Sequence, residues 1–217
     1  MSSSKMRDGG APRRDAMRSR RAILDAAEQL FAEHDFESVT MERIGRAAGL
    51  SRGAPGYFFG SKEALYRAVL ERMVERTEQL VDHVTRRSVA LPRGDARAAL
   101  EMVVDELLDF LFERPAYLVL VERQVLRQEG VMHGSRIHLS LLRAVQAAIG
   151  DGRGAGLSTA DVNQLLLSVL SLCWFPLAHV PLIRDLGEEL GREFIETRKR
   201  HVMALLSGVL AAASTPP

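Results

Sequence analysis

From Ala22 to Val209 the apolar residues return at intervals of three and four, and strand-type alternation is nearly absent. That period places them along one side of helices turning every 3.6 residues, so the sequence specifies an all-α protein. Ala22, Ile23, Ala26, Ala27, Leu30 and Phe31 make the first stripe. "EHDF" ends it, with Asp35 able to take the left-handed conformation usually left to glycine. Thr40 is placed to cap a short second helix through Ala48, and Gly49 sits where a tight turn needs a positive φ. Ser51 and Ser61 are cap residues for two more helices, the second with Leu65, Val69, Met73, Leu80 and Val84 on its inner face. "LPRGDAR" (91–97) reads as a linker. Helices are then predicted over Ala96–Glu113, Ala116–Gln128, Ser135–Ile149, Thr159–Leu177 and Gly187–Ala213, with "GDGRGAG" a flexible loop and "ASTPP" a frayed end.

Hydrophobic residues make up 47% of the 217, enough for a substantial core. The net charge is only +1, but its distribution is uneven. Residues 1–87 carry 16 Lys/Arg against 13 Asp/Glu, and the first 21 alone hold seven basic side chains and two acidic ones. A basic tip on a balanced chain suits local contact with a polyanion, the alternative from charge alone being a solvated disordered tail. The single cysteine, Cys173, excludes an internal disulfide and a Cys-rich zinc site. Leu165–Ile183 lacks Asp, Glu, Lys and Arg. It contains Pro176, His179 and Pro181, so a largely buried helix is expected there rather than a membrane span. A cytoplasmic protein follows. The sequence offers no nucleophile motif, metal-ligand spacing or Gly-rich phosphate loop; His133 and His138, five apart, do not share a helical face. An enzyme, a metal site and a cofactor are therefore not expected.

Two short helices separated by a tight turn and packed on a longer first helix make a helix-turn-helix. Ile44, Ala47, Ala48 and Leu50 are expected to face the first helix, with the two alanines permitting a close crossing. The stretch that follows, "SRGAPGYFFG" (51–60), holds three glycines and a proline. A two-turn reading helix can be poor in isolation because packing supplies its stability, the alternative being a Gly/Pro loop that bridges two helices. Its glycines also leave out side chains that would hold the backbone away from DNA.

"RRAILDAAEQLFAEHDFESVTMERIGRAAGLSRGAPGYFFGSKEALY", residues 20–66, resembles the N-terminal DNA-binding domain of the TetR family of transcriptional regulators. The resemblance implies a TetR-like fold of about nine helices that binds a pseudo-palindromic double-stranded DNA operator as a homodimer. Its parts would be a basic flexible arm (1–18), a three-helix DNA-binding domain (19–66), a helical ligand-binding and dimerisation domain (67–213) and a frayed tail (214–217). By position, Ser51, Arg52, Gly53, Ala54, Pro55, Gly56 and Tyr57 would form the recognition helix, while Thr40 and Lys62 would meet phosphates. Many members have threonine where this chain has Ala54, a phosphate-bonding tyrosine at Gly56 and alanine at Gly45. Arg52 and Tyr57 must then carry more of the binding, and the second helix should be weaker by up to about 1 kcal/mol. The arm's Arg13, Arg14, Arg18 and Arg20 could reach the minor groove or flanking phosphates.

For the body, the resemblance implies a small-molecule effector site of unspecified chemistry. Polar residues set among apolar ones are its candidates: Tyr117, Gln124, His138, Trp174 and His179. The last two helices would form the dimer face, with Leu166 and Leu170 on one and Phe194, Val202, Leu205, Leu206 and Val209 on the other. The alternative is a helical partner-binding module on the same scaffold that has lost specific DNA binding.

Overall fold

A computed structural model of the chain describes residues 10–92, 95–126, 143, 146 and 159–213. Among them are nine α-helices, one 3-10 turn and no strand. The helices are α1 (Gly10–Glu33), α2 (Met41–Ala47), α3 (Ala54–Phe59), α4 (Lys62–Ser88), α5 (Ala96–Phe112), α6 (Pro115–Leu126), α7 (Thr159–Ala178), α8 (Val180–Asp185) and α9 (Arg192–Ala213), with the 3-10 turn at Phe36–Ser38. The chain divides into two compact units, Met1–Arg72 and Met73–Pro217, with the boundary inside α4 rather than at residue 66. Of the helix expected over Ser135–Ile149 only Arg143 and Gln146 are described, both helical, and the residue 214–217 tail lies outside the described residues.

In the first unit, Ile23, Leu24, Ala27, Leu30 and Phe31 of α1 are buried with Ile44 of α2 and Leu65 and Val69 of α4. The expected stripe is there, but α1 is longer, and residues 10–18 are helical rather than a flexible arm. Alanine, methionine and arginine favour the helix, and Pro12 lies in the first turn, where its missing N–H costs least. Asp35 is extended (φ −66°, ψ 147°), not left-handed, and it opens the 3-10 turn. Phe31, Phe36 and Tyr66 pack ring on ring with centroids 4.9–5.7 Å apart. Arg72 ties α4 to α1, donating to Asp25 (2.6 Å), to the Leu24 carbonyl (2.8 Å) and to the buried Glu28.

The second unit is built on α5, whose Leu100, Val103, Val104, Leu107, Leu108 and Leu111 are all buried. Asp95 caps it by accepting from the Ala98 amide at 2.9 Å. α5 packs on α9 and α7, and α6 packs on α7. Lys199 of α9 bonds Asp105 (2.9 Å), Asp109 (3.0 Å) and Glu196 (3.2 Å), and Arg192 joins Asp109 at 2.8 Å, so α5 and α9 are tied by charge as well as by packing.

α7 contains an 18-residue window, Asp161–Ala178, long and apolar enough by composition to cross a membrane. Its apolar residues divide by face, however. Val162, Leu165, Leu166, Val169, Cys173 and Leu177 are buried at helical spacing, while Asn163, Gln164, Ser168 and Ser171 are exposed. Pro176 sits inside this helix, which runs on to Ala178. Proline has no N–H, so the Leu172 carbonyl four residues back loses its helical donor. Arg198 of α9 supplies the replacement: its Nε and Nη2 donate to that carbonyl at 3.0 and 2.8 Å. The last expected helix, Gly187–Ala213, starts later than expected, and α8 occupies a stretch before it where no helix was expected. Gly187 (φ 79°) ends the region of α8, and α9 begins at Arg192.

Candidate nucleic-acid interface

The 3-10 turn carries the chain from α1 into α2, and Thr40 caps α2 by accepting from the Arg43 amide at 3.2 Å. Because its oxygen is the acceptor in that bond, the Thr40 hydroxyl hydrogen stays available to a phosphate. α2 buries Ile44 and Gly45, not the expected Ala47, which is exposed, or Ala48, which is half-buried. Gly45 is the small residue on which the crossing depends. A Cβ there would lie 2.7 Å from the Ser51 carbonyl oxygen, 3.2 Å from Pro55 Cδ and 3.3 Å from Arg52 Cα. Gly49 then takes φ 68°, as a tight turn requires.

The reading helix starts later than expected. α3 spans Ala54–Phe59 with Gly53 as its cap residue, and Ser51 and Arg52 stand in the turn before it. Pro55 accounts for this: proline is tolerated in the first helical turn, and that fixes the start beyond Ser51 and Arg52. Ser51 contributes its carbonyl, which accepts from Ala54 N at 3.0 Å. Pro55 is buried, whereas Arg52, Gly53, Gly56 and Tyr57 are exposed, Tyr57 to 86%. The Tyr57 ring meets Phe58 edge to face at 5.2 Å. Nothing lies within 4 Å of a Cβ built on Gly53 or Gly56, so the helix presents bare backbone beside one arginine and one phenol. Gly60 (φ 78°) stops α3, and Ser61 opens α4 by accepting from the Ala64 amide at 3.1 Å.

Lys62 is turned more inward than its place at the start of α4 suggests. Its ammonium donates to the Phe36 carbonyl at 2.8 Å and the Glu37 carbonyl at 3.4 Å, 4.4 Å above the Phe36 ring. One of its three N–H groups is then left for a phosphate. Glu63 beside it is held below the usual carboxylate range, first by its own backbone N–H and then by the Ser61 hydroxyl. Arg20 of α1 stacks on Phe59 at 4.9 Å, a link between α1 and the end of α3 that sequence spacing does not reveal.

The pocket candidates in the second unit separate. Tyr117 is fully buried, shares a 2.7 Å hydrogen bond with Thr77, and lies edge-on to Phe110 and Trp174. Burial raises its phenol above the ordinary value. Trp174 is also buried and donates to Glu122 at 3.0 Å, and Gln124 is buried as well. His179 is exposed, stacked on Phe175 at 4.2 Å, and does not join them. His138 lies outside the described residues. Two open clefts, of about 430 and 360 Å³, are lined instead by charged side chains, among them Arg76, His83 and Arg114 in the first and Arg97, Glu196 and Lys199 in the second.

The dimer-face candidates divide too. Leu166, Val202 and Leu206 are core residues of the subunit, 4%, 0% and 1% exposed. Leu170 and Phe194 are half-buried. Leu205 and Val209 are each 48% exposed, alongside Leu167 (49%) and Phe175 (50%) of α7, which sequence reasoning passed over.

A short α3 behind a glycine turn, carried on α1 and α2, defines the first unit as a helix-turn-helix head. Comparison with known proteins agrees. Residues 23–69 match the signature of bacterial regulatory proteins of the tetR family. The HTH-type transcriptional repressor Rv1474c of Mycobacterium tuberculosis is 30% identical over 167 residues, covering 70% of this chain and 89% of the relative. The HTH-type transcriptional repressor AcnR of Corynebacterium glutamicum is 41% identical over 63 residues, only 29% of this chain and 34% of that relative's length. A solved structure described as a tetR-family transcriptional regulator from Mesorhizobium loti superposes with a TM-score of 0.64 at 19% identity, covering 91% and 97% of the two chains. The chain belongs to the tetR family and is a helix-turn-helix transcriptional regulator.

Proposed function

We propose that this regulator is a repressor that binds a pseudo-palindromic operator as a homodimer in the cytoplasm and is released when a small molecule occupies its body. The observation that carries the reading is the exposed end of the head, where Arg52, Gly53, Gly56 and Tyr57 stand together on and before α3. In a helix-turn-helix the start of the second helix enters the major groove. Bare glycines let the backbone approach, Arg52 offers a fork of donors to a guanine edge, and Tyr57 adds a hydroxyl. Thr40 and the third N–H of Lys62 hold phosphates on either side and fix the register.

The dimer face combines the outward residues Leu167 and Phe175 of α7 with Leu205 and Val209 of α9, all close to half exposed. Burying such a face between two copies gives a two-fold, self-complementary contact. For the effector, the cleft containing Arg76, His83 and Arg114 suits a small molecule with charged groups. Such a ligand needs to shift the balance between two arrangements of the dimer by only about 1–3 kcal/mol to weaken operator binding 5–150-fold.

Two substitutions test the proposal. Leu205→Asp should give monomers in sedimentation and lose the operator, whereas a dimer that persists would remove this face. Arg52→Ala should lower affinity and relax base preference at one position in each half-site. An unchanged preference would remove Arg52 from base reading.

A further inference from the structure

We propose that the first three turns of α1 are a second DNA-contacting element, a basic helical rod that lies against phosphates flanking the bases read by α3. The inference rests on the reading of the head as a DNA binder. α1 starts at Gly10, yet from Arg14 on its buried apolar residues begin only at Ile23. Residues 14–18 are exposed on every side, Met17 to 68%, and so are Arg20 and Arg21. A helix that buries no face gains nothing from packing, and a segment of this length is marginal alone. Its ion pairs are surface ones, Arg18 with Asp15 at 2.7 Å and Arg21 with Asp25 at 4.0 Å, with every side chain more than half exposed. Such pairs contribute little.

What the segment does carry is charge. Residues 10–21 hold five arginines and one aspartate, a net of +4 in a chain whose total is +1. At 100° per residue Arg14, Arg18 and Arg21 share one side of the helix. Arg20, on another side, is held 4.9 Å over the ring of Phe59, the last residue of α3, so the rod leaves the head beside the reading helix. From Arg20 back to Gly10 it extends roughly 15 Å at 1.5 Å per residue. That is about four base-pair steps at 3.4 Å each, beyond the bases α3 itself can touch.

Its shape decides the mode of contact. A helix with side chains is about 10–12 Å across, and the minor groove is about 6 Å wide. Insertion there, open to an extended arm, is closed to residues 10–21. Contact with backbone phosphates remains, which adds affinity and salt dependence without sequence information.

The test compares full-length wild type with the triple variant Arg14→Ala, Arg18→Ala, Arg21→Ala, which keeps good helix formers at all three positions. Binding to the duplex the wild type selects is followed by fluorescence anisotropy from 50 to 200 mM salt, on duplexes with long and with trimmed flanks. Each phosphate that an arginine no longer neutralises should lower the slope of log K against log salt by about 0.9, up to roughly five in total for three arginines in each of two subunits. Base preference and melting temperature should be unchanged. Trimming the flanks should weaken the wild type and leave the variant's affinity as it was. Equal slopes and affinities for wild type and variant would overturn the inference, and so would a lost base preference, which would place these arginines in base reading or in the fold. A wild type that binds no duplex overturns this inference together with the reading beneath it. A wild type that binds, beside an unaffected variant, overturns this one alone.

Discussion

Replacing Gly45 by alanine puts two effects of opposite sign in competition. On helix propensity alone, glycine to alanine inside α2 should stabilise by up to about 1 kcal/mol. The geometry opposes this. The new methyl would lie 2.7 Å from the Ser51 carbonyl oxygen, far inside contact distance, and 3.2–3.3 Å from Pro55 Cδ and Arg52 Cα. None of these groups can swing aside. The Ser51 oxygen is bonded to the Ala54 amide that starts α3, and the Gly45 carbonyl is bonded to the Leu50 amide at 2.9 Å. Relief requires the turn to move, and α3 with it. Overpacking of this kind costs about 1–3 kcal/mol, which leaves a net loss of roughly 1 kcal/mol after the propensity gain. Gly56→Ala is the control, because its methyl meets nothing within 4 Å and α3 should simply gain stability. Urea midpoints on the full chain are measured alongside operator affinity. A lower midpoint and weaker binding are expected for Gly45→Ala, and a higher midpoint for Gly56→Ala. A stabilised Gly45→Ala with normal affinity would show that the turn yields freely and that no such clash operates.

Three further outcomes are expected. Arg72→Met removes the guanidinium paired with the buried carboxylate of Glu28 and should cost about 3–5 kcal/mol, most of it recovered when Glu28→Met is added; a double variant no more stable than the single would show that the pair contributes as a net bond. Arg198→Met should cost about 1–3 kcal/mol in the native chain but clearly less in a Pro176→Ala background, where an amide again reaches the Leu172 carbonyl; equal costs in both would rule out the clasp. The Cys173 thiol is pushed up to about 12 by burial, so it should ignore alkylating reagents at pH 8 until the chain unfolds. Since its unfolded pKa is lower, stability should fall as pH rises above about 9, and rapid labelling of the native protein would contradict its burial.

The parts of this molecule legible in the sequence are those governed by local spacing. Leu65, Val69, Met73, Leu80 and Val84 recur at helical intervals, and all are buried. The Thr40 cap and the positive φ of Gly49 follow from residue type at a turn. What the sequence hid depends on distant neighbours. Gly45 looks like a weak point in α2 because its reason, the Ser51 carbonyl, arrives only when the turn folds back. Trp174 donates to Glu122, 52 positions away, a pairing that spacing cannot show. The apolar run of α9 cannot be sorted by pattern, since Val202 and Leu206 point inward and Leu205 and Val209 outward. The start of α3 was within reach of the sequence. Pro55 signals the first turn of a helix, and that signal moves the start from Ser51 to Ala54.

Everything proposed for this regulator depends on the exposed end of the head reading a defined DNA sequence. The decisive experiment is selection of bound duplexes from a random library at 50 and 200 mM salt. One enriched palindrome is expected, with half-sites set by the dimer, and a loss of affinity of about 10³–10⁵ between the two salt concentrations for 6–10 phosphate contacts. A folded dimer that enriches no sequence would contradict the reading of the head.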